Sequence, residues 1–392
     1  MNRRPIFLTF ADYYLPGYKA GGPIRAISNI VNAFSDVFQF DIVTRDRDLG
    51  DEQSYPGVAP DSWKSLDNAR VLYLSQQRLS AVGLLELIRR HSFDVIYLNS
   101  FFSTIAVRIL VLRRMGFLGS APVILAPRGE FASSALRFKR LRKRIYLEFA
   151  RMMRLTEGVT WQASSQHEVA DIQNVWALGA GESPTVVLTP EMLSGKGFQS
   201  TPHIKAKVAG RLDAAIVLRI SDNKNLDGAL KLLAGVGGEM ALSIYGPVES
   251  PSYWAECERL IEKLPGNLKV SYHGPVAHEK VREILSEKDL FFFPSLGENF
   301  GHAIIEALEA GCPVLVSDRT PWRKLKEHGV GWDVPLERPD EFRSVLEQMI
   351  AMGPDEHAQM SANAIKYVSS VARNPEILES NRRLFSTVAG SV

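Results

Sequence analysis

A stretch in the second half of the chain, residues 289–318, restricts the possible folds more than any other part of the sequence. It contains two short apolar runs, residues 289–293 and 313–317, and each is typical of a parallel strand that is buried on both faces. Between these runs, apolar residues recur at helical spacing until a glycine ends the pattern: Ala303, Ile304, Ala307, Leu308 and then Gly311. The pattern predicts a βαβ unit, and in open parallel sheets ligands bind at the carboxyl ends of the strands.

Two glutamates lie at different depths in this predicted unit. Glu298 falls in the loop after the first strand, where its carboxylate can accept hydrogen bonds from ligand hydroxyls, and Glu306 lies about one turn into the helix. Gly301 lets the amides at the helix start approach an anion closely. A polyhydroxylated, anionic ligand such as a nucleotide sugar matches this chemistry. Taken singly, each glutamate is more often an ordinary loop or helix acid, so the prediction depends on their combination.

The spacing Glu298-x7-Glu306 resembles the Glu-x7-Glu motif of retaining family 4 glycosyltransferases. Its neighbours match as well: Phe300, Gly301, Ala307, Gly311, Pro313 and Val314. The resemblance implies an α/β chain of the GT-B architecture, in which two Rossmann-like doubly wound domains face a central cleft. It further implies sugar transfer from a UDP- or GDP-sugar to a saccharide or lipid-linked acceptor, as in bacterial polysaccharide, O-antigen or lipopolysaccharide assembly. No additional cofactor and no metal are implied.

A second motif, Arg219-x4-Lys224, follows the first apolar run of the carboxyl-terminal half. Two cations at the carboxyl end of a strand can bind both phosphates and stabilise a departing diphosphate, although such pairs are also common on surfaces. The pair resembles the Arg-x4-Lys of the same family. That resemblance assigns Arg219 and Lys224 to the leaving diphosphate, Glu298 to the donor sugar and Glu306 to the ribose. It places the other donor contacts at Gly21, Gly22, Gly246, Gly274, Val276, Asn299, Phe300 and Gly301.

Strand and helix patterns alternate through the first half, which predicts a doubly wound sheet. The predicted strands are 5–10, 40–44, 71–74, 94–98, 122–126 and 159–162, and the predicted helices are 24–35, 81–90, 104–115, 136–155 and 166–176. Gly21 and Gly22 follow the first strand, where their amides can face phosphate, with a simple turn as the alternative. The resemblance favours the phosphate contact.

Four further polar residues of the first half are candidates for acceptor contact. Asp46 and Asp48 form an Asp-x-Asp sequence like the metal motif of a different glycosyltransferase architecture, but a polar surface loop accounts for it and no catalytic metal is expected. Arg128 stands where related enzymes often carry histidine, and its permanent charge could hold a phosphate or pair with Glu130.

The domain boundaries are predicted from a polar stretch rich in proline and glycine, residues 189–203. It divides an acceptor-side domain, residues 1–195, from a nucleotide-sugar domain, residues 196–374. The last helix, residues 375–392, is expected to return to the first domain, as it does in GT-B enzymes.

Composition places the chain among ordinary globular proteins, with 45% hydrophobic and 23% charged residues. Cys257 and Cys312 are its two cysteines, so no disulfide framework is expected and a reducing cytoplasm is the natural compartment. Cys312 is predicted to be a small buried packing residue. Neither a signal peptide nor a membrane-spanning run is predicted.

The segment 137–144 carries six basic residues in a chain whose net charge is only +2. Phe138, Leu141 and Ile145 fall roughly on one helical face, which suits a helix lying on an anionic membrane. A solvated basic face fits equally well. Nucleic acid is disfavoured because interleaved aromatics are lacking and the total charge is near neutral.

Two other functions remain possible from the sequence. A nucleotide-sugar hydrolase or epimerase of the same fold would release a product without an acceptor. A non-catalytic, membrane-associated assembly protein could use the basic segment instead, but the presence of all four residues argues against it: Arg219, Lys224, Glu298 and Glu306.

Overall fold

The computed structural model describes residues 3–137, 140–176, 183–193 and 205–390. The chain divides into two compact units, which are described separately. Unit 1 comprises Met1–Leu193 with Pro375–Val392, and unit 2 comprises Ser194–Asn374.

Unit 1 is built on one eight-stranded sheet. Its strands are β1 (Ile6–Phe10), β2 (Gln39–Arg45), β3 (Trp63–Leu66), β4 (Ala69–Leu74), β5 (Val95–Asn99), β6 (Val123–Ala126), β7 (Val159–Ala163) and β8 (Thr185–Leu188). The spatial order is β3-β4-β2-β1-β5-β6-β7-β8, and every pairing is parallel except that of β3 with β4. The inner strands β1 and β5 are buried along their whole length because helices cover both faces of the sheet.

The helices of unit 1 alternate with these strands. They are α1 (Gly22–Phe34), α2 (Ala81–Arg90), α3 (Thr104–Arg114), α4 (Ser133–Arg137), α5 (Arg140–Met152) and α6 (Gln166–Trp176). The helix predicted over residues 136–155 appears as α4 and α5, and residues 138 and 139 between them lie outside the described part of the chain. Ser165 caps α6, since its hydroxyl accepts from the Glu168 amide at 3.1 Å.

Unit 2 is built on a six-stranded parallel sheet. Its strands are β9 (Arg211–Val217), β10 (Glu239–Tyr245), β11 (Leu268–Tyr272), β12 (Leu290–Phe293), β13 (Val314–Ser317) and β14 (Gly331–Val334). Its helices are α7 (Leu226–Leu233), α8 (Pro251–Ile261), α9 (His278–Ser286), α10 (His302–Glu309), α11 (Pro339–Ala351) and α12 (Pro354–Ala372). The predicted βαβ unit is therefore confirmed as β12, α10 and β13.

The last helix, α13 (Pro375–Ala389), belongs to unit 1. Its Phe385 is fully buried, and the Phe385 ring centroid lies 5.2 Å from that of Phe7 on β1. Asn381 of α13 donates to the Pro190 carbonyl at 2.9 Å. These contacts bury the final helix against the first sheet.

Both cysteines are buried packing residues. Burial raises the pKa of Cys257 to about 12 and raises that of Cys312 as well, so neither thiol ionises readily. This confirms the prediction for Cys312. Among the described helices, none combines the length and the hydrophobicity that a segment needs to span a bilayer.

Candidate active site

In the sheet of unit 2, the order in which strands are added reverses between the neighbouring strands β9 and β12. Its order is β11-β10-β9-β12-β13-β14, so the chain leaves β9 toward β10 on one side and later adds β12 on the other. Loops that leave the carboxyl ends of two such strands diverge, and the crevice between them is where open α/β sheets bind ligands. The loop after β9 carries Arg219 and Lys224, and the loop after β12 carries Glu298.

Lys224 and Glu298 meet across this switch point. The Lys224 ammonium lies 2.5 Å from one carboxylate oxygen of Glu298, and the two side chains are only 16% and 11% exposed. The ammonium also lies 5.8 Å from the centre of the Phe293 ring, at the end of β12. Removing two charges from water costs free energy, and their attraction offsets that cost only when their geometry is well fixed. The contacts that hold the two loops in place are therefore important.

Three polar side chains fix the loops that carry the pair. Asn225 adopts a left-handed conformation with φ 59°, and its side-chain amide donates to the Pro294 carbonyl at 2.7 Å. Ser295 donates to Glu298 at 3.2 Å, and the Ser317 hydroxyl donates to the Ser295 carbonyl at 2.6 Å. The loops after β9, β12 and β13 are thus tied together.

The start of α10 lies next to Glu298 in the chain. Its cap residue, Gly301, has φ 82°, and a Cβ at that position would lie 2.8 Å from Ile304. The Trp322 indole donates to the Phe300 carbonyl at 2.5 Å and is itself 6% exposed. Trp322 therefore supports the glycine turn from within the core. As a glycine, the cap residue Gly301 offers no side chain to the amides at this helix start, which suits an anion.

Glu306 lies one turn into α10 and is 7% exposed. One of its carboxylate oxygens lies 3.3 Å from Nδ1 of His278, the first residue of α9. The His278 side chain is 46% exposed, so a ligand that reached Glu306 would meet this histidine at the surface. Glu298 and Glu306 both lie on the segment that leaves β12, Glu298 in the loop and Glu306 in α10, and their side chains are similarly buried, at 11% and 9% exposed.

Arg219 precedes Lys224 in the loop after β9 and pairs with Glu249. Its guanidinium is 3.2 Å from the carboxylate, and both side chains are about one-third exposed, at 35% and 34%. An exposed pair of this kind contributes little stability, so Arg219 can exchange Glu249 for another anion at low cost. Within the described residues, both cations of the motif are thus paired with a carboxylate.

Two glycines shape the loops that follow β10 and β11. Gly246 has φ 134°, and a Cβ there would lie 1.7 Å from the Leu218 carbonyl oxygen, so the residue must be glycine. Its amide donates to the Gly274 carbonyl at 2.8 Å. Gly274 has φ 76°, and Val276 follows it as a half-buried residue. The predicted donor-binding positions of unit 2 therefore lie on loops that follow the strands of one sheet, except Glu306, which lies in α10.

In unit 1, Gly21 and Gly22 lie where β1 leads into α1. Gly21 has φ 71°, its amide donates to the Tyr18 carbonyl at 3.0 Å, and α1 begins at Gly22 without a side-chain cap. The Asp48 carboxylate holds the same loop, since it accepts from the amides of Tyr18 at 2.8 Å and Lys19 at 3.1 Å. Asp48, in the loop after β2, thus orders the glycine loop.

Asp46 is turned inward as well. Its carboxylate accepts from Arg47 at 2.8 Å and from the Ser54 hydroxyl at 2.7 Å, and the residue is 2% exposed. In the described parts of the chain, no group of three or more His, Cys, Asp and Glu residues could hold a metal ion.

The sequence suggested two possible partners for Arg128, a phosphate or Glu130, and the structure contradicts the second. It does not pair with Glu130; it lies 3.3 Å from Glu191 and donates to the Tyr97 hydroxyl at 2.7 Å and to Asn99 at 3.0 Å. Burial alone lowers the pKa of Arg128, but Tyr97 and Glu191 outweigh it and raise this pKa. The reason for the difference is that Arg128, with φ 55° in the loop after β6, has a buried side chain that contacts Tyr97 and Asn99 of β5.

Glu130 instead orders the start of α3. Its carboxylate accepts from the Ser100 hydroxyl at 2.6 Å and from the amides of Phe101 at 2.6 Å and Phe102 at 3.2 Å. Burial raises the pKa of Glu130, although these hydrogen bonds act in the opposite direction. Arg128 and Glu130 therefore support separate loops at the carboxyl edge of the first sheet.

Several solved structures are similar to the whole chain. Sucrose-phosphate synthase from Thermosynechococcus elongatus is 16% identical, with full coverage of both chains and a TM-score of 0.74. WaaG, a glycosyltransferase involved in lipopolysaccharide biosynthesis, is 14% identical, with 98% of this chain and 100% of that chain covered and a TM-score of 0.67. HepE from Anabaena, solved with UDP and glucose, is 17% identical, with 99% and 100% covered and a TM-score of 0.67.

The chain has the GT-B fold. This confirms the fold predicted from the sequence, two Rossmann-like α/β domains with parallel sheets. At these identities the likeness extends to the fold alone.

Sequence comparison adds a match to the second GT-B domain. Residues 200–367 match the family model described as glycosyl transferases group 1, a range that includes Arg219, Lys224, Glu298 and Glu306. The gpi3 subunit of phosphatidylinositol N-acetylglucosaminyltransferase from Schizosaccharomyces pombe is 24% identical over 130 residues. That alignment covers 33% of this chain and 28% of the relative. Together with the GT-B fold, the family match supports a glycosyltransferase.

Proposed function

We propose that the chain is a retaining glycosyltransferase that takes its sugar from a nucleoside diphosphate at the β9 and β12 edge of unit 2. The ion pair between Lys224 and Glu298 is the observation that carries this proposal. A nucleotide sugar offers phosphate oxygens to the ammonium and hydroxyls to the carboxylate. It can therefore replace one ion pair by two sets of charge-assisted hydrogen bonds.

The bound donor exchanges the partners of both cations. Lys224 leaves Glu298 and binds the diphosphate. Arg219 leaves Glu249 and also binds the diphosphate. Ser295 still donates to Glu298 and keeps its carboxylate in place for the sugar hydroxyls. The amides at the start of α10 contribute further donors, since Gly301 leaves them uncapped.

The transfer step places new negative charge on the diphosphate. The bond between the anomeric carbon and the phosphate oxygen breaks, and its electron pair stays on the phosphate. The acceptor oxygen forms the new bond to the anomeric carbon, and its proton passes to the departing phosphate on the same face. Arg219 and Lys224 lie where this charge develops, so they stabilise the transition state more than the ground state.

The remaining donor contacts follow from the same edge of the sheet. Glu306 binds the ribose hydroxyls, and the loop of Gly274 and Val276 after β11 lies beside the base. HepE was solved with UDP and glucose, which makes a UDP-sugar the first donor to test and a GDP-sugar the second. Gly21 and Gly22 are proposed to contact the diphosphate as well.

A lipid-linked saccharide is the proposed acceptor, in the assembly of a cell-surface polysaccharide. Support comes from the names of two similar proteins: WaaG is described as involved in lipopolysaccharide biosynthesis, and the gpi3 subunit belongs to an enzyme named for phosphatidylinositol. Unit 1 carries the proposed acceptor side.

Binding of nucleoside diphosphates tests the donor site without an acceptor. We expect titration calorimetry to find one preferred base, and we expect Glu306→Gln to weaken that binding about 10- to 100-fold, because a charged hydrogen bond contributes about 1.5–3 kcal/mol. The 2′,3′-dideoxy form of the same diphosphate lacks the ribose hydroxyls. It should bind wild type and Glu306→Gln equally.

Two outcomes would remove this assignment. The first is absence of binding for the whole series of diphosphates and sugar conjugates. The second is an equal loss for the ribose and dideoxy ligands in Glu306→Gln, which would mean that the variant damages the structure around α10 and does not report the ribose contact.

The stereochemistry of the product tests the retaining mechanism. The proposed same-face transfer should preserve the anomeric configuration of the donor sugar, and proton NMR of the first-formed product measures it. An inverted product would contradict the mechanism while leaving the donor site intact. Release of free sugar at the full rate without any acceptor would favour a hydrolase instead.

A further inference from the structure

The surface of α5 carries a concentration of exposed hydrophobic side chains. Among the described residues, thirteen large hydrophobic side chains are exposed, and five of them lie on α5 or directly after it: Leu141 (72%), Ile145 (62%), Phe149 (38%), Met152 (75%) and Met153 (41%). Single exposed hydrophobics are common on soluble proteins, but a contiguous group of this size marks a surface that binds something.

Four of these side chains form one stripe along the helix. Leu141, Ile145, Phe149 and Met152 are spaced by four, four and three residues, so they fall within about 80° of one another on a helix of 3.6 residues per turn. The buried residues Leu147 and Ala150 lie on the opposite side and attach the helix to unit 1. The stripe, defined by these four residues, therefore points away from the core.

Basic side chains flank the α5 stripe on both sides. Arg142 lies beyond one margin, and Arg140 and Arg144 lie beyond the other, and all three are exposed. From residue 140 to residue 154 the sequence has six basic residues and one acidic residue, a net charge of +5 in a chain whose total is +2. Phe138 and Lys139, two residues of the basic segment singled out from the sequence, lie outside the described residues.

The end of α3 extends this surface. Arg114 donates from Nε to the Met153 carbonyl at 2.8 Å, which joins the ends of the two helices. Met115 follows directly and is 62% exposed, and Phe117 is 39% exposed beside Arg89, whose guanidinium lies 5.6 Å from the ring centre. The hydrophobic surface thus continues from one helix to a second.

We propose that the α5 stripe docks unit 1 on the surface of an anionic lipid bilayer. Leu141, Ile145, Phe149 and Met152 would enter the boundary between headgroups and acyl chains, while the flanking arginines contact lipid phosphates. Charge favours this occupant over a second copy of the chain, because two surfaces of +5 repel each other. The inference rests on unit 1 and does not depend on the donor site of unit 2.

Cosedimentation of the full chain with vesicles tests the docking. Wild type should bind vesicles that contain one-quarter phosphatidylglycerol in phosphatidylcholine, and should bind pure phosphatidylcholine at least tenfold more weakly. Ile145→Ser/Phe149→Ser should lose about tenfold or more of the binding to anionic vesicles, since apolar burial drives insertion. Arg140→Glu/Arg144→Glu should lose a similar factor through charge.

Variants elsewhere in the chain control for the general effect of removing an exposed hydrophobic side chain or reversing a surface charge. Val82→Ser changes a 68% exposed hydrophobic on α2, and Lys326→Glu reverses an exposed charge in unit 2; both should bind like wild type. Equal binding by the stripe variants, or no binding of wild type to anionic vesicles, overturns the proposal. A dimer in sedimentation velocity that the stripe variants abolish, without vesicle binding, assigns the stripe to a protein partner and also overturns it.

Discussion

Replacing Lys224 with methionine is expected to lower kcat/KM about 10²- to 10³-fold, as does loss of one donor that stabilises developing charge in other enzymes. The substitution keeps an unbranched side chain that is shorter by one atom and removes the ammonium. Without that charge, the leaving diphosphate loses a partner at the step where its negative charge grows. The measurement is release of nucleoside diphosphate from the preferred nucleotide sugar in the presence of a lipid-linked saccharide.

A matched lysine on the next helix provides the control. Lys231 of α7 is 56% exposed and pairs with Asp227 four residues earlier, so Lys231→Met removes the same charge away from the loops. This variant should retain wild-type activity. Thermal unfolding verifies that Lys224→Met remains folded although Glu298 has lost its partner. A folded Lys224→Met enzyme within threefold of wild type would rule out the role proposed for Lys224.

Replacing Glu298 with glutamine is expected to separate binding of the sugar from binding of the diphosphate. In the wild type, Glu298 holds the Lys224 ammonium at 2.5 Å and competes with a phosphate for it. Glu298→Gln removes this competition, so the nucleoside diphosphate should bind at least as tightly as before. The affinity gained from the attached sugar should fall about 10- to 100-fold, since a charged acceptor is lost.

Calorimetry with the diphosphate and its sugar conjugate measures both affinities in one series. The ratio of the two dissociation constants gives the contribution of the sugar. Glu327→Gln, at a 68% exposed carboxylate of unit 2, is the control and should leave the ratio unchanged. Equal weakening of both ligands in Glu298→Gln would indicate loss of loop structure and would contradict a specific contact with the sugar.

The fold could be predicted because hydrophobic patterning is strong in buried parallel strands. β12 and β13 appear in the sequence as uninterrupted apolar runs, and Gly311 ends the helix between them. The antiparallel edge strand β3 was missed, since its four residues are exposed or half-buried and show no continuous apolar run. Such an edge strand depends on its neighbour β4 more than on its own sequence.

The candidate site was predictable only in part. The positions of Lys224 and Glu298 at strand ends follow from local pattern, but their contact depends on β9 and β12 being neighbours. Strand order is a property of the whole sheet, and neither the sequence around Lys224 nor the sequence around Glu298 indicates it. The support from Asn225, which adopts a left-handed conformation and reaches the Pro294 carbonyl, has the same origin.

For Arg128 and Glu130 of the first domain, closeness in sequence suggested a contact that the fold does not contain. Arg128 and Glu130 are two residues apart in one loop, which made them appear natural partners. In the fold, each contacts a different neighbouring loop: Arg128 pairs with Glu191 after β8, and Glu130 accepts from amides of the loop between β5 and α3. Spacing in sequence could not distinguish these contacts, because both partners come from distant parts of the chain.

A crystal structure with the preferred nucleoside diphosphate bound is the decisive test of the donor site. We expect the diphosphate to lie against Arg219, Lys224 and the first amides of α10, with the ribose on Glu306 and with Lys224 no longer bonded to Glu298. A diphosphate bound elsewhere, with the Lys224–Glu298 ion pair unbroken, would show that unit 2 does not bind its donor in this way.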